Sequence, residues 1–179
     1  MQQLLTDYNL SKNKWLAFRI LSNLEDKIIF NNKVNIDLSN INNSIIEDCK
    51  YLSNLGFVIG GSISLKIFGM LDRDINDFDL FLDENIDYNK VKEKYNSNSD
   101  DSEDNEDDQY KLMGSSKFKA KIRINNIDKS IDIFNLRKNY LMIEGIKIQS
   151  NPFDALRAKL KYNRDKDKND FIEIFNKII

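Results

Sequence analysis

The sequence contains no histidine, a single cysteine and a single proline among its 179 residues. The absence of histidine excludes Ser-His-Asp triads, Cys-His pairs and every zinc site built with imidazole. The lone Cys49 cannot form an internal disulfide, and its place on the apolar side of an expected helix favours a small buried thiol. Any metal site must therefore depend on oxygen ligands, which favours Mg²⁺ or Mn²⁺.

Long apolar runs are also missing, and no signal-peptide pattern follows Met1, so we expect no membrane association and a cytoplasmic location. The hydrophobic fraction of 41% is sufficient for a core, and the length suits one domain with a small appended lobe. The formal net charge of −2 gives the whole molecule no attraction to nucleic acid, although a local basic patch stays compatible with it.

Hydrophobic periodicity predicts a mixed α/β (α+β) chain whose short mixed sheet is flanked by helices at both ends. The first helix is expected over about 14–24 with Trp15 and Phe18 among its apolar residues, and Ser39 or Asn40 is expected to cap the next one. Pro152 suits the first position of a helix that runs to about Tyr162. Further helices are predicted at 62–68, at 88–95 and from about 168, and strands at 57–59, 77–82, 118–124 and 130–134, with a hairpin around Gly145.

We predict three regions: an N-terminal helical region over 1–56, a sheet-bearing core over 57–150, and a basic helical segment over 151–179. Within the core, the stretch 96–110 has seven acidic residues between positions 100 and 108 and no apolar residue over 96–109. Such composition predicts a solvated, disordered insertion, which is either an inert surface loop or a segment that binds a regulatory partner.

Two apolar strands bear aspartates. Asp77 and Asp79 alternate with apolar residues, so they should share one face about 7 Å apart. Asp132 lies between Ile131 and Ile133 in a strand expected to neighbour the first. Three such carboxylates can hold one or two Mg²⁺ ions, with substrate phosphates supplying further oxygens. An acidic pair alone is common on the solvent face of an edge strand.

A glycine pair follows the strand that begins at Phe57. Gly60 and Gly61 allow positive φ and close approach of the backbone to a phosphate, and Ser62 adds a hydroxyl donor at the start of a helix. The pattern is neither Gly-x-Gly-x-x-Gly nor a Walker loop, so dinucleotide and P-loop sites are excluded. Alone, the three residues are also compatible with a plain strand-to-helix turn.

In this order, Gly60-Gly61-Ser62, Asp77-x-Asp79 and a distal Asp132 resemble the DNA polymerase β-like nucleotidyltransferase superfamily. The similarity covers about 57–171 apart from the acidic insertion, and it is closest to the abortive-infection toxin branch and the minimal nucleotidyltransferases. In that branch a basic residue often precedes the acidic pair, and the C-terminal end is basic. The matching residues of this chain are Arg73, Lys159, Arg164 and Lys166.

The resemblance implies the nucleotidyltransferase fold and the roles of its residues. Asp77 and Asp79 would ligate both metal ions, and Asp132 would ligate the catalytic one and accept a proton. The turn formed by Gly60, Gly61 and Ser62 would hold the nucleotide phosphates. The basic residues Arg73, Lys159, Arg164 and Lys166 would reach the triphosphate or else form a solvated helix face, whereas Asp167 and Asp170 are expected to form local ion pairs.

The implied reaction is Mg²⁺- or Mn²⁺-dependent transfer of a nucleoside monophosphate from a nucleoside triphosphate to a hydroxyl acceptor, with release of pyrophosphate. RNA, protein and a small molecule all remain possible acceptors. Alternating cations at Lys117, Lys119, Lys121 and Arg123 could contact RNA or protect an edge strand from aggregation. The alternative function is a catalytically inactive module of the same fold that binds a nucleotide or a partner.

Overall fold

The computed structural model describes residues 1–31, 36, 38–75, 77–95 and 117–179. Seven helices are found in these ranges: α1 Gln2–Ser11, α2 Lys14–Asn31, α3 Asn43–Asn54, α4 Gly61–Ile67, α5 Tyr88–Tyr95, α6 Pro152–Tyr162 and α7 Asp165–Ile178. Six strands accompany them: β1 Phe57–Ile59, β2 Asp79–Leu82, β3 Lys117–Ile124, β4 Ile127–Arg137, β5 Tyr140–Ile143 and β6 Ile146–Gln149.

The six strands form one mixed sheet in the order β3-β4-β2-β1-β6-β5. Strand β1 lies at the centre, antiparallel to β2 and parallel to β6, while β2 is parallel to β4. The outer pairs, β3 with β4 and β5 with β6, are antiparallel hairpins. The predicted mixed α/β class is therefore confirmed.

Both hairpins are set by their turn residues. Asn125 and Asn126 have φ of 49° and 64°, and Glu144 and Gly145 have φ of 48° and 85°. Two-residue hairpin loops of type I′ need positive φ at both central positions. Asparagine and glycine accept it at least cost, whereas Glu144 adopts it without that advantage. The two predicted hairpins are confirmed, and the first fixes the register that pairs Lys119 with Asp132.

The described chain divides into two compact units. The sheet unit comprises 41–64 and 75–150, and its core surrounds the fully buried strand β1. Helix α3 packs on β1 and β6. On β3, Ala120, Ile122 and Ile124 are buried while the alternating Lys119, Lys121 and Arg123 are exposed, as the sequence pattern predicts.

The helical unit comprises 1–40, 65–74 and 151–179. Tyr8 is buried among Phe171 and Phe175, with ring centroids 6.3 and 5.4 Å away, and its hydroxyl donates to the Lys168 carbonyl. Burial raises the pKa of Tyr8 to about 12. Helix α6 begins as predicted, with Pro152 in the first turn and the Asn151 side chain accepting from the Phe153 N–H.

Several boundaries differ from prediction. Asn42, not Ser39 or Asn40, caps α3, since its side chain accepts from the Ser44 N–H. The last helix begins at Asp165 rather than near 168, and β2 begins at Asp79 rather than at position 77.

Trp15 and Phe18 lie in α2 as predicted, but they are 74% and 51% exposed while Ala17 and Ile20 are buried. The buried face of this helix therefore does not include the two aromatic residues. The acidic insertion at 96–110 lies outside the described residues, and the predicted region boundaries near 56 and 150 stay a prediction. No helix of the described ranges is both long and apolar enough to cross a membrane.

Candidate active site

Two of the three predicted aspartates lie side by side on neighbouring strands. Strands β2 and β4 run parallel with Asp79 opposite Asp132, and the Asp132 N–H donates to the Phe78 carbonyl at 3.0 Å. Residues opposite each other in neighbouring strands share a face and lie about 4.8 Å apart. The next paired residues, Leu80 and Ile133, are fully buried on the other face, whereas both aspartates are half-buried.

Asp77 lies two residues before Asp79, outside the strand, and is exposed. Among residues 1–75, 77–95 and 117–179, as far as they are described, no three acidic or cysteine side chains are grouped as metal ligands. The described conformation therefore brings Asp79 and Asp132 together, while Asp77 lies outside the sheet, two residues before β2 begins. Two paired oxygen ligands, with a third carboxylate close by in sequence, are the donor type that Mg²⁺ accepts.

The glycine turn lies directly against this pair. The Gly60 N–H donates to the Asp79 carbonyl at 2.9 Å, which fixes the end of β1 beside the start of β2. Gly61 has φ of 58°, and a Cβ on it would overlap the Asp79 carboxylate. A Cβ on Gly60 would overlap the Phe81 ring. Close packing therefore favours glycine at both positions, against Phe81 at Gly60 and against Asp79 at Gly61. Ser62, the next residue, is buried in the first turn of α4.

A lysine from the edge strand approaches the carboxylates. Lys117 Nζ lies 3.4 Å from Asp132 Oδ2, with side-chain exposures of 22% and 29%. At this distance and exposure the ion pair is weak. Beyond the carboxylates along the same strands, Phe81 stacks on Phe134 with ring centroids 5.2 Å apart. Lys119 on β3 lies opposite Asp132, and Lys138 Nζ lies 5.7 Å from the centre of the Phe81 ring. The face therefore combines acidic groups, several lysines and two stacked aromatic rings.

The four basic residues assigned to the triphosphate lie in the helical unit, and three of them contact buried acids there. The Arg73 guanidinium donates to both oxygens of Asp170 at 2.7 and 3.0 Å, and Lys159 Nζ donates to Asp170 at 2.7 Å. Arg164 donates to Asp167 at 2.8 Å. The local ion pair expected for Asp167 is therefore confirmed, whereas the partners of Asp170 lie 11 and 97 positions away along the chain and are not local. Lys166 is exposed in the first turn of α7.

Asp170 is 2% exposed and strongly compensated. Burial, the largest single influence, raises the pKa of its carboxyl. The hydrogen bonds and positive charges of Arg73 and Lys159 outweigh that effect, so the pKa lies below the ordinary value of 3.8. Arg73 and Lys159 thus have a structural role within the helical unit.

Two residues behind the glycine turn were not predicted. Ser64 and Gln149 are 0% and 1% exposed and are joined by a 2.8 Å hydrogen bond from Gln149 Nε2 to Ser64 Oγ. Gln149 ends β6, where the alternation of Ile146 and Ile148 places position 149 on the more exposed face. Its burial depends on the neighbouring end of β1, which no local pattern indicates.

No protein-family model matches the sequence, and the comparisons with curated proteins and with solved structures also produced no match.

Proposed function

We propose that this chain is a nucleotidyltransferase with the DNA polymerase β-like fold, which moves a nucleoside monophosphate from a nucleoside triphosphate to a hydroxyl acceptor. One observation carries the proposal: Asp79 and Asp132 are paired in register on parallel strands, and the positive-φ Gly61 lies against Asp79. Residues of three separate sequence motifs, Gly61, Asp79 and the distal Asp132, thus meet at one point of the sheet. A coincidental Gly-Gly-Ser turn would not need to meet the acidic strand.

In this proposal Asp79, Asp132 and the nearby Asp77 hold Mg²⁺ or Mn²⁺. When bound, the cation neutralises phosphate charge and polarises the phosphoryl group under attack. The acceptor oxygen forms a bond to the α-phosphorus, the bond from that phosphorus to the bridging oxygen of the β-phosphate breaks, and pyrophosphate leaves. Asp132 accepts the proton of the acceptor hydroxyl. The turn at Gly60, Gly61 and Ser62 positions the leaving phosphates.

Contacts of Arg73, Lys159, Arg164 and Lys166 with the triphosphate stay predictions from the resemblance. For Arg73 and Lys159 the bonds to Asp170 support a structural role first. The acceptor is RNA, a protein or a small molecule, and the exposed Lys119, Lys121 and Arg123 on β3 extend the acidic face with cations that suit a phosphate backbone.

A second candidate function is a non-catalytic nucleotide- or partner-binding module. It is favoured by the absence of a three-carboxylate group among the described residues and by the position of Lys117 at Asp132, where a cation would otherwise bind. In such a module the acidic pair would be neutralised internally and no metal would be needed.

The two candidates are separated by incubating the protein with each α-labelled nucleoside triphosphate, Mg²⁺ or Mn²⁺, and a cell extract that is then divided into RNA, protein and small-molecule fractions. We expect label in one fraction, and a loss of roughly a hundredfold or more in Asp79→Asn and Asp132→Asn, because each removes a charge that acts on the transition state. Asp128→Asn is the matched control, since it removes an exposed carboxylate from the same strand.

A wild-type protein that shows a thermal shift with nucleotide, yet transfers no label in any fraction, would support the binding module. A protein that shows neither a shift nor transfer with any nucleotide would contradict both candidates. Equal labelling by the wild type and by Asp79→Asn would show that transfer takes place elsewhere.

A further inference from the structure

A buried glutamine lies behind the glycine turn with one of its polar atoms unsatisfied. Gln149 is 1% exposed, and its Nε2 donates to Ser64 Oγ at 2.8 Å. Its Oε1 is buried and accepts no hydrogen bond from any described residue, the one such side-chain atom found in those ranges. This Oε1 lies 2.9 Å from where a Cβ on Gly60 would be, so the amide is packed against the backbone of the turn.

The amide nitrogen of Gln149 is connected to the glycine turn through Ser64. Ser64 Oγ receives the hydrogen bond from Gln149 and donates its own proton to the Gly61 carbonyl at 2.8 Å, while the Ser64 N–H donates to the Gly60 carbonyl at 3.3 Å. One side chain from β6 thus orients the hydroxyl that holds the peptide following Gly61. Gly61, whose carbonyl accepts this hydrogen bond, also lies directly against the Asp79 carboxylate.

The unsatisfied oxygen argues against a purely stabilising role for this side chain. A buried acceptor without a partner costs about 1–3 kcal/mol, whereas an apolar side chain of similar shape would avoid that cost. A glutamine at this position is therefore a poor choice for packing alone. It is a reasonable choice if the donor half of the amide is needed to hold the turn in one conformation.

We propose that Gln149 is a positioning residue: through Ser64 it fixes the Gly60–Gly61 turn in the conformation that receives the nucleotide phosphates. This inference rests on the proposed function for the identity of the ligand. The fixing of the turn, by contrast, can be measured without any ligand. Gln149 itself touches neither substrate nor metal in this proposal.

The test replaces Gln149 by methionine, which has nearly the same shape and no polar amide. We expect an unfolding midpoint equal to or above that of the wild type, because the unsatisfied oxygen is removed. Amide hydrogen exchange over 60–64 should become roughly fivefold faster, since one hydrogen bond of about 1 kcal/mol no longer holds the turn. The dissociation constant for ATP with Mg²⁺ should rise roughly five- to tenfold.

Ser64→Ala should reproduce the faster exchange, and the double variant should add little, because both residues act through one chain of hydrogen bonds. Ser53→Ala is the matched control: it removes a buried hydrogen bond from the Lys147 N–H on the same strand, away from the turn. That control should lower the unfolding midpoint and leave exchange over 60–64 unchanged.

Unchanged exchange over 60–64 in Gln149→Met, or a loss of stability like that of Ser53→Ala with unaltered exchange, would overturn the inference. If the wild type binds no nucleotide, the proposed function fails, and the exchange measurement still decides whether Gln149 fixes the turn. If the wild type binds nucleotide and Gln149→Met binds it equally well, the inference fails while the proposed function stands.

Discussion

Asp170 in the helical unit and the Asp79–Asp132 pair in the sheet unit are acidic groups treated in opposite ways. Asp170 is 2% exposed and receives three hydrogen bonds of 2.7–3.0 Å from Arg73 and Lys159. Asp79 and Asp132 are half-buried, face each other across two strands, and have Lys117 at 3.4 Å from Asp132.

The difference concerns where the balancing charge comes from. A buried carboxylate must be neutralised by the protein itself, and Asp170 meets that requirement with two cations at short distance. Two like charges at paired positions destabilise a sheet, and the cations that lie near this pair, Lys117 and Lys119, come from the neighbouring strand β3. A cation from solution can add to the compensation of this half-buried pair, whereas the buried Asp170 already has two cations at short distance.

The largest effect is expected when the buried carboxylate is neutralised. Asp170→Asn leaves the charges of Arg73 and Lys159 without their shared partner, and breaking a buried ion pair from one side costs about 3–5 kcal/mol. Urea unfolding followed by circular dichroism measures this loss. Asp165→Ala, which removes an exposed carboxylate bonded to Lys168 in the same helix, should leave the unfolding midpoint unchanged. Equal unfolding midpoints for Asp170→Asn and the wild type would remove the contrast between the two regions.

A smaller effect is expected from pH. The pKa of Asp170 in the folded protein lies below 3.8, so the folded state binds this proton less readily than the unfolded state does. The stabilisation by Asp170 is therefore fully present above pH 3.8 and is lost as the pH falls through the folded pKa. Unfolding at a series of pH values should show the wild type approaching Asp170→Asn in the acid range. A constant difference down to the lowest pH would contradict the lowered pKa.

The sheet face was largely predictable because it depends on local patterns. Strict alternation around Asp79 and Asp132, and an Asn-Asn turn that fixes the β3–β4 register, are properties of short segments. The exception is Asp77. Strand β1 ends opposite Leu80, and the Gly60 N–H bonds to the Asp79 carbonyl, so β1 offers no pairing to the residues before Asp79. Alternation alone does not show where the neighbouring strand stops.

The helical unit was less predictable because its decisive contacts join distant parts of the chain. Arg73 and Asp170 are 97 positions apart, and nothing near either residue indicates the other. Apolar spacing predicts a helix around Trp15, but it cannot show that the covered face includes Ala17 and Ile20 and leaves Trp15 exposed. The burial of Gln149 in the sheet unit is equally hard to predict, because it depends on where the neighbouring strand β1 ends. Contacts between side chains that are far apart in the sequence could therefore not be predicted from local patterns.

The smallest effect is expected when the same substitution is made on the sheet. Asp132→Asn removes the ion pair with Lys117 and also the repulsion by Asp79, and these opposite contributions should leave metal-free stability within about 1 kcal/mol of the wild type. Added Mg²⁺ should then favour the wild type alone, by about 1.4 kcal/mol at a concentration tenfold above its dissociation constant. Thermal unfolding with and without Mg²⁺ measures both quantities. The stability difference between Asp170→Asn and the wild type should not change with Mg²⁺, because Arg73 and Lys159 already neutralise this site in the wild type. If that difference changes with Mg²⁺, or if Asp132→Asn and the wild type respond to Mg²⁺ equally, internal compensation does not distinguish the two regions.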